Sequence, residues 1–267
     1  MRGRRVAAVA LRQWFLIRGS MSRIVPLFAW VVVDVVLWGF ITRFLNSFPS
    51  TLYDFVPAVL GAVLLWDFLT RVMQGVTMAF FEDVWARNFL NVFATPIRIS
   101  EYVGGLVTSS IATSAVGLVV MVLVAALAFH LHFLTYGLLL GPFLGVLFLF
   151  GIALGIIGIS IVLRLGPAAE WFIWPLPAII SPFACVFYPL TTLPPWMRGV
   201  ARALPPTYVF EGLRAIVLKR PVPVQSLLPG ALLAALYVGL ACLLFVRVHR
   251  YAVRTGLVGR YSAETVS

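Results

Sequence analysis

Residues 137–163, GLLLGPFLGVLFLFGIALGIIGISIVL, form a run of 27 residues without a single charged side chain. A helix needs about 20 consecutive apolar residues to cross a hydrocarbon core of roughly 30 Å. This run is therefore long enough to span a membrane, and similar runs recur along the chain. Of the 267 residues, 62% are apolar and 11% are charged, whereas soluble domains carry roughly 25% charged residues. The composition argues against a water-soluble enzyme and indicates an integral membrane protein.

The apolar runs predict an all-α integral membrane fold, organised as one transmembrane domain over residues 1–267. An amphipathic helix lying in the membrane interface is expected within residues 1–25, six spans within 26–246, and a basic tail at 247–267. The predicted spans cover about 26–45, 55–80, 103–129, 137–163, 171–188 (interrupted by three prolines) and 226–246. A short cytoplasmic helix is expected at about 83–94, between the second and third spans. One or two short re-entrant helices at the outer interface are expected before the last span.

The basic residues predict how the chain is oriented. Nineteen of the 20 basic residues are arginine, and the net charge is +11. Thirteen basic residues fall before the first span, in alternate loops and in the tail, whereas six fall on the opposite side. Because cytoplasmic loops carry the excess of basic residues, both termini are expected in the cytoplasm. In so apolar a chain the positive charge points to anionic lipid and not to nucleic acid.

Several kinds of chemistry find no support in the sequence. A phosphate-binding loop needs G-x-x-x-x-G-K-S/T, and the only lysine, Lys219, follows Leu218. The three histidines, His130, His132 and His249, lie at span ends with no carboxylate at the spacing of a zinc protease. For His130 and His132 a neutral interfacial role is favoured over metal binding. Neither G-x-S-x-G nor H-E-x-x-H occurs. The chain is therefore predicted to be no enzyme, to hold no metal and to carry no cofactor of its own.

Four polar residues fall inside predicted spans: Asp34, Asp67, Arg71 and Gln74. The last three are spaced by four and three residues, which places them on one helical face. A charge near the middle of a bilayer costs at least about 2.5 kcal/mol, so these residues need partners or water. One interpretation is an Asp67–Arg71 ion pair, with Asp34 as second acceptor, that holds the first two spans together. The other is a hydrated substrate path or a proton relay.

Small and aromatic residues suggest further contacts. Gly141, Gly145, Gly151 and Gly155 form two small-xxx-small pairs in the fourth span, which allow close helix packing. Glu211 and Arg214, three residues apart, favour an ion pair at the headgroup level over ligand binding. The aromatic residues around the fifth span favour an interfacial belt over stacking on sugars.

Two motifs make the order of these parts specific. The first is EDVWARNFLNVFATPIRISEYVGG at 82–105, with its T-P and E-x-x-G. The second is LPPWMRGVARALPPTYVFEGLRAIVL at 193–218, with L-P-x-W, P-x-T and E-x-x-R. Together with the predicted topology they resemble the type-2 permeases of ATP-binding-cassette (ABC) exporters over nearly the full length. One departure is Arg87–Asn88, where members of that family commonly carry Gly-Thr.

The resemblance implies a permease that forms a homodimer or heterodimer and docks a separate ATPase subunit, which binds ATP and magnesium. It implies a place in the bacterial cytoplasmic (inner) membrane among its lipids, and export of a lipid-linked glycan, a lipid or a hydrophobic drug-like molecule. Residues implied to couple to the ATPase are Glu82, Asp83, Arg87, Asn88, Phe89 and Pro96. Residues implied at an outer gate are Pro194, Trp196, Pro205, Glu211 and Arg214.

An alternative from another class is an ion-coupled secondary transporter that uses Asp34 or Asp67 as its proton site. That alternative predicts transport by this chain alone, without an ATPase.

Overall fold

A computed structural model describes residues 2–48, 56–86, 95–131, 133–221 and 224–257. Over these residues the chain is built from helices and irregular connections, without a β-strand. The α-helices of the described residues are α1 (Arg2–Arg18), α2 (Met21–Leu45), α3 (Gly61–Trp85), α4 (Ile99–Phe129), α5 (Leu140–Leu165), α6 (Leu176–Ile180), α7 (Pro195–Arg202), α8 (Pro205–Val217) and α9 (Val224–Arg254).

Four of these helices, with the turns that continue them, are long and apolar enough to cross a membrane. Among the described residues these candidate spans are Val56–Trp85, Ile99–Phe129, Tyr136–Leu165 and Leu227–Arg254. They correspond to the predicted second, third, fourth and sixth spans. The predicted first span falls in α2, which has 25 residues. Its crossing stays a prediction.

The segment 171–188, predicted as a fifth span, is not one transmembrane helix. It contains the end of a 3₁₀ helix, Pro167–Phe172, then α6 with only five residues, followed by turns. Proline lacks the backbone N–H that a helix interior needs, and its ring clashes with the preceding turn. Three prolines within eight residues, at 175, 177 and 182, therefore break the helix into pieces.

Contacts identify two opposite ends of the bundle. At the α1 end, the Trp85 indole donates a hydrogen bond to Glu170 (2.8 Å). At the α8 end, the ring centroids of Trp66 and Phe210 lie 6.2 Å apart. Trp66 and Trp85 are separated by about 28 Å of helix. The Cys185 carbonyl oxygen accepts a hydrogen bond from Arg214 of α8, so the segment from Glu170 to Cys185 runs from the α1 end to the α8 end. The segment is broken and partly 3₁₀, and a 3₁₀ helix rises more per residue than an α-helix.

The glycine seam, which we define as Gly151, Gly155 and Gly158 of α5, brings α5 against α3. A Cβ atom at Gly151 would lie 2.9 Å from the Leu69 carbonyl oxygen, and one at Gly155 would lie 2.8 Å from Val76 Cβ. Close packing, predicted for Gly151 and Gly155, is confirmed.

The other predicted pair, Gly141 and Gly145, does not pack in this way. A Cβ at either position would meet no described atom within 4 Å. These two glycines lie on the exposed side of α5, whereas the seam faces α3.

Two boundaries differ from the prediction. The N-terminal helix ends at Arg18, and Gly19 and Ser20 connect it to α2, which begins at Met21. The amphipathic pattern over 4–25 therefore covers parts of two helices. The last helix continues to Arg254, through residues predicted as the start of the basic tail. Arginine has a high helix propensity, so Arg247 and Arg250 extend the helix. Two short helices, α7 and α8, occupy the region where one or two were predicted.

Candidate functional site

A cavity of about 760 Å³ opens between α1, α2, α3 and α4, with Trp174 on a further side. All four polar residues predicted inside the membrane, Asp34, Asp67, Arg71 and Gln74, line it. The other lining residues are Gln13, Ile17, Trp30, Thr70, Gly75, Met78, Ala79, Glu82, Trp85, Ser109, Thr113, Ser114 and Trp174. Polar side chains that are costly in lipid are thus gathered around one space that can hold water or a ligand.

The polar stripe, which we define as Asp67, Arg71, Gln74 and Glu82, forms the α3 wall of this cavity. Its spacing keeps every member on one face of α3. Arg71 Nε donates to Asp67 Oδ2 at 3.1 Å, so the predicted ion pair forms. From Asp67 to Glu82 the stripe is about 22 Å long, which is most of the thickness of a hydrocarbon core.

The α2 wall contributes Asp34, which lies within electrostatic reach of Arg71. The predicted interpretations, a pair that links the first two spans and a hydrated space, are compatible with this arrangement. Arg71 lies along α4, because Gly117 leaves room there: a Cβ at Gly117 would be 3.3 Å from Arg71 Cδ.

The α4 wall contributes three hydroxyl residues, Ser109, Thr113 and Ser114. Ser110, on the neighbouring face of α4, donates to the Val72 carbonyl oxygen at 2.9 Å and ties α4 to α3. Ser114, one turn further along, is only 3% exposed, and its hydroxyl has no hydrogen-bond partner among the described residues. This hydroxyl is available to a molecule inside the cavity.

At the α1 end, Asp83 joins three helices. Its carboxylate accepts a hydrogen bond from the Tyr102 hydroxyl of α4 at 2.6 Å and forms an ion pair with Arg12 of α1. Asp83 is 1% exposed, so it faces α1 and α4 and not the protein surface. Gln13 adds a bond from its side-chain amide to the Ala79 carbonyl oxygen at 3.3 Å.

A second contact fixes α1 to the start of α4. Glu101 accepts a hydrogen bond from the Arg98 backbone N–H at 2.9 Å and pairs with Arg5 at 3.2 Å. The first bond satisfies a backbone donor at the helix start. The contacts of Arg5 and Arg12 thus hold α1 across the ends of α3 and α4.

The residues implied to contact an ATPase have different positions. Glu82 and Asp83 lie in the last turn of α3, since that helix continues to Trp85, and therefore do not begin a separate helix at 83. Pro96 lies in the turn before α4. Arg87, Asn88 and Phe89, with most of the predicted helix 83–94, lie outside the described residues.

At the α8 end, the Glu211–Arg214 pair organises the preceding loop. The Arg214 guanidinium donates to Glu211 (2.8 Å) and to the Cys185 carbonyl oxygen (2.7 Å). Glu211 also accepts from the Leu190 backbone N–H at 2.8 Å. The pair holds irregular backbone that would otherwise leave polar groups unsatisfied in an apolar environment.

The remaining predicted gate residues lie on the same two helices. Pro194 precedes α7 and Pro205 begins α8, positions where the missing N–H of proline costs nothing. Trp196, on α7, is 67% exposed and packs edge-on against Phe183.

The sequence did not point to several cavity residues. Trp30, Trp85 and Trp174 come from three separate parts of the chain, and nothing in their spacing brings them together. Gln13 was missed as well: it is 1% exposed, although it belongs to a helix predicted to lie in the membrane interface. Within the described part of the chain no three His, Cys, Asp or Glu residues are grouped as a metal site.

Comparison with known proteins gives one match. The family model of the ABC-2 type transporter matches residues 6–218, which is well over half of the chain and covers most of α1 and all of α2 to α8. No curated protein matches the chain.

Proposed function

The chain belongs to the ABC-2 type transporter family, and from this premise we propose that it is the membrane subunit of an ATP-driven exporter. It moves a lipid-linked glycan, a lipid or a hydrophobic drug-like molecule out of the cytoplasm or the inner leaflet. It does so in the bacterial cytoplasmic membrane, with both termini in the cytoplasm, so that the α1 end faces the cytoplasm and the α8 end faces outward.

The observation that carries this proposal is the cavity lined by the polar stripe. A transport path must offer polar groups within a hydrocarbon core, where unpaired charges are otherwise costly. Asp67, Arg71 and Glu82 form such a line along α3, and the cavity reaches from Asp67 to Gln13 and Ile17 at the α1 end. These features support a path that loads from the cytoplasmic side.

The energy for transport comes from a partner. The sequence contains no phosphate-binding loop, so a separate ATPase subunit binds ATP and magnesium and docks on the segment from Glu82 to Ala94. Asp83 connects the start of this segment to α1 through Arg12 and to α4 through Tyr102. Movement of the docked segment therefore reaches three cavity-lining helices together. A contact that is equally stable in both conformations of a transporter does not shift the equilibrium between them. We therefore expect the contacts of Asp83 to differ between the two conformations.

Closure toward the outside involves the region from Leu193 to Leu218. The Glu211–Arg214 pair holds the loop at Cys185 and Leu190, and it supports Pro194, Trp196 and Pro205 as parts of an outer gate. A second permease copy completes the path. The apolar groove of Val33, Leu37, Phe40 and Phe44 on α2 offers a surface for that copy or for lipid.

The first test is gentle purification of the chain from its native membrane, with mass spectrometry of what co-purifies. A P-loop ATPase in stoichiometric amount is the expected result. If the chain remains alone after crosslinking, and the purified chain reconstituted in vesicles accumulates substrate on a proton gradient, the secondary transporter based on Asp34 or Asp67 replaces this proposal.

A second test addresses the docking segment. Replacing Arg87, Asn88 and Phe89 with alanine is expected to abolish ATPase co-purification, while the matched change Arg220→Ala at the α8 end leaves it intact. Unchanged docking in the triple variant would contradict a coupling role for 82–94.

A further inference from the structure

The cavity has the opposite charge to the rest of the protein. Its described lining contains three carboxylates, Asp34, Asp67 and Glu82, and one guanidinium, Arg71, which gives a formal charge of −2. The whole chain has a net charge of +11. A cavity bordered by low-dielectric walls concentrates the field of its own charges, so this space attracts cations.

The single positive charge among the described lining residues already has a partner. Arg71 Nε donates to Asp67 Oδ2 at 3.1 Å, and the Arg71 side chain lies between α3 and α4 with only 10% of its surface exposed. An anionic ligand at Arg71 would lie beside the carboxylates of both Asp67 and Asp34, which repel it. A cationic ligand meets Asp34 without breaking that pair.

Three indole rings complete the site. Trp30, Trp85 and Trp174 line the same cavity from α2, α3 and the broken segment after α5. The face of an indole attracts a cation within about 6 Å of the ring centre, more strongly than other aromatic rings do. The rings also provide flat apolar surface for the body of an amphiphile.

The Ser114 hydroxyl is an independent sign that the cavity takes a ligand. It is buried and lines the cavity, and no described residue satisfies it. Buried polar groups in proteins are usually hydrogen-bonded, so this hydroxyl is available to form a hydrogen bond with a bound molecule. At about 760 Å³, the cavity is within the range of roughly 300–1,000 Å³ that holds drug-sized ligands.

We propose that this cavity binds an amphiphilic organic cation, in which an ammonium or similar centre meets Asp34 and the tryptophan faces while an apolar body contacts the remaining walls. The inference rests on the proposed transport function for its meaning, because it names the class of substrate carried. The binding itself is a property of this chain and needs no ATPase.

The test uses two ions of nearly the same size and shape and of opposite charge, tetraphenylphosphonium and tetraphenylborate. The purified chain is placed in nanodiscs of neutral phosphatidylcholine, and equilibrium binding of each radiolabelled ion is measured above that of empty nanodiscs. Saturable binding of the phosphonium, with no saturable binding of the borate, is expected. Equal or stronger binding of the borate, or saturable binding of neither ion, overturns the proposal; preference for the borate would favour an anionic lipid or lipid-linked glycan.

Three variants, each compared with the wild-type chain, test whether the phosphonium binds in this cavity. Asp34→Asn is expected to weaken phosphonium binding at least about tenfold, because it removes a carboxylate at short range in a site of reduced dielectric. Trp174→Leu is expected to weaken it about threefold or more, whereas Trp171→Leu, three residues away and absent from the lining, leaves it unchanged. Equal effects of the two tryptophan changes would contradict the assignment to this cavity.

These results are separable from those of the transport proposal. Phosphonium binding without any co-purifying ATPase would leave the cation site standing and remove the ATP-driven mechanism. If an ATPase co-purifies but the chain binds the phosphonium and the borate equally, the ATP-driven mechanism stands and the cation site is contradicted.

Discussion

The two sides of α3 are built on opposite principles. On one side the glycine seam brings the α5 backbone against Leu69 and Val76, so closely that a single methyl group at Gly151 would meet a carbonyl oxygen at 2.9 Å. On the other side the polar stripe faces a cavity of about 760 Å³. Dispersion contacts hold the first side, which is packed as closely as a protein interior and tolerates neither voids nor added volume. The second side keeps charges in an open space. One helix thus combines a fixed attachment with an adaptable surface.

The largest expected effect comes from breaking the seam. Gly151→Val places a branched side chain against the Leu69 carbonyl oxygen and Val72, and such overpacking costs about 1–3 kcal/mol. The variant should melt well below the wild type in detergent, as followed by fluorescence-detected gel filtration after heating. Gly145→Val is the matched control, because a Cβ at that position meets no described atom within 4 Å. Equal melting temperatures would show that α3 and α5 are not held by the seam.

An intermediate effect is expected on the cavity side. Asp67→Asn removes the carboxylate that accepts a hydrogen bond from Arg71 Nε, and in a dry interior breaking such a pair costs about 3–5 kcal/mol. Because this pair borders a cavity of about 760 Å³, large enough to hold water, we expect a loss of only about 1 kcal/mol in stability. A melting curve of the purified variant beside that of Gly151→Val gives the measurement. A loss as large as that of the seam variant would mean that the cavity side is as dry as the seam.

The smallest effects separate two serines one turn apart on α4. Ser110→Ala removes a hydroxyl that donates to the Val72 carbonyl oxygen and should cost about 1 kcal/mol. Ser114→Ala removes a hydroxyl without a described partner, so the free energy of unfolding should stay unchanged within about 0.5 kcal/mol. If Ser114→Ala proves the more destabilising of the two, the Ser114 hydroxyl is satisfied in solution and does not mark a ligand position.

The sequence predicted the long helices well and the broken ones poorly, for a physical reason. An uncharged run such as 137–163 has one favourable structure in a membrane, so its position follows from hydropathy alone. Segment 171–188 is also apolar and uncharged, but three prolines prevent one continuous helix, and how the pieces connect depends on α5 and α8. The spacing of Asp67, Arg71 and Gln74 predicted a shared face correctly, because helical periodicity is local.

The cavity walls beyond that face could not be read from the sequence. Trp174 reaches the cavity only because the broken segment passes beside it, and Ser114 only because α4 packs at a particular rotation against α3. Asp83 shows the same limit in another form. Its place next to a docking motif suggested surface contact, whereas Arg12, more than 70 positions earlier in the chain, covers it.

The seam also has a mechanical consequence. Two helices packed this closely cannot slide past each other, so α3 and α5 tilt together as one rigid unit. The end of α3 in this unit is Trp85. From there to Asp67 the helix measures about 27 Å, so a tilt of roughly 10° at the Trp85 end displaces Asp67 by about 5 Å. Spin labels on α3 and α5 would keep their separation through such a stroke, while the separation between α3 and α2 would change.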